Sequence, residues 1–236
     1  MKKNILILGA NGFVGKMLPK EAFDNYICVD KTYKTEREKK GNYHYIKCDI
    51  SKKEECNKLL EILKEIDISF EAVVNLVGIN KRMNFYNISE DIWEETFNTN
   101  VKGILFLLKR LYPFLGDKVS IINVASQNGI VAHEDRIDYG PSKAALIQLT
   151  KNLSIDLLKD KSKDIKVNSI SPSYIINDSN KDFFDTYEGK KMINKIPYKK
   201  LVEVDDVVNL IMFLLSDNSK AIRGQNIVID YGYTIV

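Results

Sequence analysis

The sequence predicts an α/β chain: a doubly wound parallel β-sheet flanked by helices on both faces, in a single domain. Three observations lead there. Short β-branched runs alternate with longer stretches of helical periodicity along the whole chain. Several of those runs, among them ILIL, AVVNLV and VSIINVA, are apolar almost throughout, as strands buried on both faces must be. The first run also opens directly into a cluster of glycines. Alternating β and α elements of this kind build a doubly wound sheet, and 236 residues suit one such domain.

The elements follow in order. Strands are expected at 4–9, 26–30, 43–49, 72–78, 119–126, 165–172 and 226–230. MKKNILIL is read as the first strand rather than a signal peptide, because its apolar run is short and glycines break it. A helix opens at Ser51-Lys-Lys-Glu54, which reads as a capping box, with Leu59, Leu60, Leu63 and Ile66 at helical spacing behind it. Ser89 is expected to cap the next helix, and Trp93 to pack as helix core. The segment 101–115 is apolar over much of its circumference and should end at Pro113. Further helices are expected at 137–159 and 203–216, with the aromatics Phe183, Phe184, Tyr187 and Tyr198 in the stretch before the second of them.

Composition narrows the function classes. A net charge of +3 with interspersed charges argues against a nucleic-acid partner. No apolar run is long enough for a membrane span. Cys28, Cys48 and Cys56 are odd in number and lack ligand spacing, and two histidines cannot build a metal cluster, so no metal is expected. A reducing cytoplasm is the expected location.

The motifs lie where such a sheet binds ligands, beyond the carboxyl ends of its strands. Gly9-Ala-Asn11-Gly12-Phe13-Val14-Gly15 follows the first strand. Glycines there let backbone N–H groups approach a pyrophosphate, and the next helix adds its positive end. Asp30 ends the second strand, where a carboxylate accepts from the ribose hydroxyls of NAD and repels the 2′-phosphate of NADP. NAD(H) is therefore the preferred cofactor and NADP(H) the secondary one. Lys31, Lys34 and Arg37 stand just beyond, diluted by Glu36 and Glu38, and read as a solvated loop. Asp49-Ile50 is placed to touch the adenine. Asn75 is expected to tie neighbouring strands together, and Val77-Gly78 to let the cofactor approach. Tyr139 and Lys143 are four apart and share a helix face, and a lysine beside a phenol favours the phenolate. Ser126 ends the preceding strand, where its hydroxyl can reach the same oxygen. His133 is read as an exposed loop residue bordering that region.

In combination, Gly9/Gly12/Gly15, Asn75-Leu-Val-Gly78, Asn100, Ser126, Tyr139/Lys143, Pro172-Ser173 and the final strand resemble the classical short-chain dehydrogenases/reductases, with their Rossmann-type fold, over nearly the whole chain. The resemblance implies an oxidoreductase moving a hydride between NAD(H) and a secondary alcohol or ketone. It gives Tyr139 the role of general acid/base. Lys143 would lower its pKa and bind the nicotinamide ribose, Ser126 would orient the substrate oxygen, and Asn100 would hold a relay water. Pro172 and Ile175 would flank the nicotinamide, and the stretch at about 174–200, with its aromatics, would form a substrate lid. A homodimer or homotetramer through the helices at 101–115 and from Ile137 is implied. The glycine spacing and Leu8, where a threonine is usual, resemble the family's extended branch, so a nucleotide-sugar epimerase or dehydratase is one alternative. A non-catalytic dinucleotide sensor is the other.

Overall fold

The structure, a computed structural model, describes residues 3–236. The chain runs through β1 (Asn4–Leu8), α1 (Phe13–Met17), β2 (Asn25–Asp30), β3 (Arg37–Lys40), β4 (Tyr43–Lys47), α2 (Lys53–Ile66) and β5 (Phe70–Asn75). Then come α3 (Glu90–Phe97), a π-helical turn (Asn98–Gly103), α4 (Ile104–Leu111), β6 (Leu115–Val124), α5 (Tyr139–Asp156), β7 (Asp164–Pro172), α6 (Lys181–Asp185), α7 (Tyr187–Asn194), α8 (Val204–Leu215) and β8 (Asn226–Ile229). The strands stand in the order β3-β4-β2-β1-β5-β6-β7-β8. All neighbours are parallel except β3 and β4. The order reverses beside β1, and the crevice beyond that switch point is where such sheets hold ligands.

Period-2 alternation in β1 divides the core. Leu6 and Leu8 join one cluster with Leu59 and Leu63 of α2, Leu107 of α4 and Leu146 of α5. Ile5 and Ile7 face the other, with Val207, Val208 and Ile211 of α8. Burying each such side chain stabilises the fold by roughly 1.5–3 kcal/mol, which fixes the sheet and with it the loops at its carboxyl edge.

Four local expectations change. Arg37–Lys40 is an edge strand paired antiparallel with β4, not a loop. All four residues are exposed, and lysine on an edge discourages further pairing. The capping box at α2 does not form. The Ser51 hydroxyl donates to Asp49 Oδ1 at 2.7 Å, and Glu55 rather than Glu54 reaches back, accepting from the Asp49 amide at 2.7 Å. Trp93 is 39% exposed and stacks on Phe97 instead of entering the core. Much of the apolar circumference of α4 is satisfied within the chain, by burial of Ile104, Leu107, Leu108 and Leu111, leaving Phe106 outside. Ser89 caps α3 as expected, accepting from the Ile92 amide at 3.3 Å. Among the described residues, no helix is long and apolar enough to cross a membrane.

Candidate active site

The turn after β1 is built from backbone contacts that only glycine permits. Gly9 has φ +79°, and a Cβ there would lie 3.0 Å from the Leu76 carbonyl carbon. A Cβ at Gly15 would come within 2.6 Å of the Ala10 oxygen, so α1 rests directly on the turn. Gly12 is the N-cap of α1 and its amide donates to Gly9 O at 3.1 Å. Since α1 has only five residues, the turn's own amides matter here more than a helix dipole.

A cleft lined by Gly9, Gly12, Asp30, Asp49, Ile50, Val77 and Gly78 runs along this edge. Lys31, Thr32, Cys48, Leu76, Ile79 and Thr99 complete it. The Asp30 carboxylate accepts from the Asn11 amide at 3.0 Å, and from the Thr32 amide at 2.9 Å and hydroxyl at 2.7 Å. Asn11 Nδ2 donates to the same hydroxyl at 2.7 Å, which closes a small network. Asp49 repeats the arrangement, accepting from the Ser51 amide and hydroxyl at 3.0 and 2.7 Å. Burial pushes the Asp49 carboxyl up. Its bonds from Ser51 and the charges of Lys31 and Lys52 outweigh that and hold it below its usual range. An aspartate followed two places later by Ser or Thr was the readable signal for Thr32, and sequence reasoning missed it.

Five expected cofactor residues stand back from this cleft. Val14 packs into the core, and Phe13 is 41% exposed outside it. Asn75 is buried and inter-strand, as expected, and both its amide atoms are engaged there. Nδ2 donates to Asn123 Oδ1 at 3.1 Å and Oδ1 accepts from the Val77 amide at 3.1 Å, so its side chain offers nothing to a ligand. Pro172 is buried at the end of β7, and Ile175 pairs with Val202 on the wall of the neighbouring cleft.

The chemical groups stand between the two clefts, with Ser126 and Tyr139 on the wall of the neighbouring one and Lys143 behind Gly78 of the first. Ser126 leaves the end of β6, and Tyr139 is the first residue of α5. One turn on, Lys143 is 3% exposed, with Nζ 5.7 Å from the phenol centroid and donating to Val124 O at 2.8 Å. A Cβ on Gly78 would lie 2.9 Å from that Nζ, so glycine there keeps the ammonium open to the cofactor cleft. Burial pulls the lysine down to about 8.

Two site residues have surroundings that spacing alone does not show. Burial holds the Tyr139 phenol above its ordinary value, against the Ser126 hydroxyl and the Arg136 guanidinium. Lysine proximity read from spacing omits this desolvation. Asn100 sits in the π-helical turn, whose extra residue rotates it inward. Its Oδ1 accepts from the Ile79 amide at 2.8 Å, and its Nδ2 donates to Ile79 O at 3.0 Å and Ser142 Oγ at 2.9 Å. Its amide clamps the exit of β5 to α5.

Beyond Tyr139 lies a second cleft of about 590 Å³, lined by Ser126, Gln127, His133, Arg136, Ser173, Tyr174 and Phe184 among others. His133 is half-buried rather than exposed, and its Nε2 bonds the Tyr174 hydroxyl. Of the expected lid aromatics, Phe183 and Phe184 face this cleft, whereas Tyr187 and Tyr198 are exposed. Arg136, Gln127 and Tyr174 had no sequence signal, since each is an ordinary loop residue until the fold converges them.

Comparison with known proteins places this geometry. A family model described as enoyl-(acyl carrier protein) reductase matches residues 26–234. L-xylulose reductase of Caenorhabditis elegans is 35% identical over 167 residues, covering 69% of this chain and 65% of that protein. A 3-oxoacyl-[acyl-carrier-protein] reductase of Staphylococcus epidermidis is 27% identical over 98% of this chain and 99% of its own. Among solved structures, 4-hydroxyisoleucine dehydrogenase complexed with NADH superposes with a TM-score of 0.87 at 27% identity, covering 99% of both chains. A short-chain dehydrogenase family protein of Francisella tularensis gives 0.87 at 25% identity over the whole of both chains. The chain thus belongs to the short-chain dehydrogenase/reductase family, oxidoreductases of alcohols and ketones that use a nicotinamide dinucleotide.

Proposed function

We propose that this chain transfers a hydride between NAD(H) and a secondary alcohol or ketone, with Tyr139 as general acid/base. The observation that carries the reading is the convergence of the Ser126 hydroxyl, the Tyr139 phenol and the Lys143 ammonium, with Tyr139 on the second cleft and Lys143 beside Gly78 of the first. The dinucleotide, when bound, supplies or accepts the hydride. The chain's own residues do the rest. Gly9, Gly15 and Gly78 leave room for it where a Cβ would collide with backbone or with Lys143. Asp30 faces its ribose, Asp49 and Ile50 flank the adenine side, and Ile175 borders the nicotinamide side. Ser126 orients the substrate oxygen, and Tyr139 gives its proton to that oxygen on reduction. Lys143, beside Gly78, binds the nicotinamide ribose and holds positive charge near the phenol when the proton returns on oxidation. Asn100 positions α5 against β5.

Asp30 supports a preference for NAD(H) over NADP(H). The segment carrying α6 and α7 serves as a lid over the substrate, and the chain works as one domain.

Turnover of NADH with ketones, and its dependence on Tyr139, tests the reading. Tyr139→Phe should lower kcat by roughly 10²–10⁴ while NADH affinity stays within about twofold, because only the proton donor is lost. Near wild-type turnover in this variant would overturn the assignment.

A further inference from the structure

The second cleft carries a set of buried polar atoms that the chain does not satisfy. Gln127 is 2% exposed, yet its Oε1 has no hydrogen-bond partner. Ser173 Oγ and Arg136 Nε are buried and likewise unpartnered. All three residues line the same cleft as Tyr139. In folded proteins the great majority of buried polar groups are bonded, so orphans gathered on one cleft wall mark groups that a ligand completes.

Arg136 gives this set a sign. Its Nη1 donates to the Asp135 carbonyl at 2.6 Å, and no carboxylate among the described residues forms an ion pair with it. Asp138, two residues on, takes the Thr96 hydroxyl on one oxygen at 2.6 Å and is turned into the core. Glu134 and Asp135 lie at the exposed mouth, where Asp135 accepts from Asn84 Nδ2 at 3.0 Å and Arg82 also lines the cleft. Arg136 shares the cleft wall with Tyr139 and Tyr174, next to the reacting groups.

We propose that the substrate is a short hydroxy- or oxo-carboxylic acid whose carboxylate is held by Arg136. Gln127 Oε1 accepts a hydrogen bond from a hydroxyl on the same molecule, and Ser173 Oγ lies on the same wall. A guanidinium is suited to a carboxylate because its N–H groups match the two oxygens, and such charge-assisted bonds are the strong ones. An uncharged polyol would satisfy Gln127 and Ser173 and leave the arginine without its counter-charge. This assignment rests on the second cleft being the substrate side of Tyr139, and it specifies what that side binds.

Calorimetric titration of succinate, a dead-end dicarboxylate, and of uncharged succinamide into the protein with NADH present tests it without turnover. Wild type should bind succinate at least about tenfold more tightly than succinamide. Arg136→Gln should lose that preference, with a ten- to hundredfold weaker succinate affinity, and leave succinamide binding and NADH binding nearly unchanged. Arg136→Lys, which keeps the charge without the fork, should fall between and guards against a folding defect in the glutamine variant. Equal binding of the two ligands by wild type, or a preference that survives Arg136→Gln, would overturn the proposal. Tyr139-dependent reduction of neutral ketones alongside such a result would remove the acid while leaving the oxidoreductase in place.

Discussion

Cofactor choice turns on one carboxylate. Asp30 ends β2 half-buried in the cleft, and the 2′-phosphate of NADP would arrive beside it. Two unit charges about 5 Å apart at an effective dielectric of about 20 repel by roughly 3 kcal/mol. Solvent on the open side screens about half of this, so a discrimination of roughly ten- to hundredfold against NADPH is expected. The nearby cations do not cancel it. Lys31 lies 3.8 Å from Asp49 and Arg37 pairs with Glu65 at 2.8 Å, so two of the three basic residues beyond Asp30 have partners of their own. Asp30→Asn removes the charge and keeps one carbonyl to accept from Thr32. The NADH-to-NADPH affinity ratio, read by fluorescence titration, should fall to within about threefold. NADH itself should weaken by roughly three- to tenfold, because the bonds from Asn11 and Thr32 lose their charge assistance. Tighter NADPH than NADH binding by the unmodified protein would refute the reasoning.

Two further outcomes follow from the same geometry. Lys143 titrates near 8 in the fold against an ordinary 10.5, so between those values the native state holds fewer protons than the unfolded one. Stability of the cofactor-free protein should therefore rise with pH across that window, by on the order of 3 kcal/mol in full, and Lys143→Met should flatten the rise in urea midpoints. The exposed Trp93, Phe106, Ile155 and Leu158 lie on α3, α4, α5 and the turn after α5, and sedimentation at micromolar concentration should show a dimer or tetramer. Monomer alone would contradict that assembly.

The fold was legible where burial writes a continuous signal. Seven strands were legible as short β-branched runs, several of them apolar almost throughout because a parallel sheet hides both of their faces, and helix ends such as Ser89 followed from capping chemistry. β3 escaped because an exposed edge strand of Arg, Glu and two lysines has no apolar pattern at all. Tyr139, Ser126 and Lys143 were readable as residue types at fixed spacing on neighbouring elements. What they experience was not. Desolvation of the phenol and of Lys143, and the engagement of the Asn100 amide by Ile79 and Ser142, arise only when distant segments pack. The substrate side was the least legible part, since Gln127, Arg136 and Ser173 have neither motif nor periodicity and become a set only through the unpartnered atoms they share one cleft to display.

The central claim is direct hydride transfer beside Tyr139, and isotope transfer tests it most directly. The protein would be incubated with a ketone it reduces and NADH deuterated at the transferring position, and the product alcohol examined by mass spectrometry and NMR. The account predicts one deuterium on the carbinol carbon, at a single face, with NADH consumed in equal amount and the same labelled product formed roughly 10²–10⁴ times more slowly by Tyr139→Phe. A product stereoisomer formed without net NADH consumption, or NADH bound with no label moved to any ketone, would contradict it.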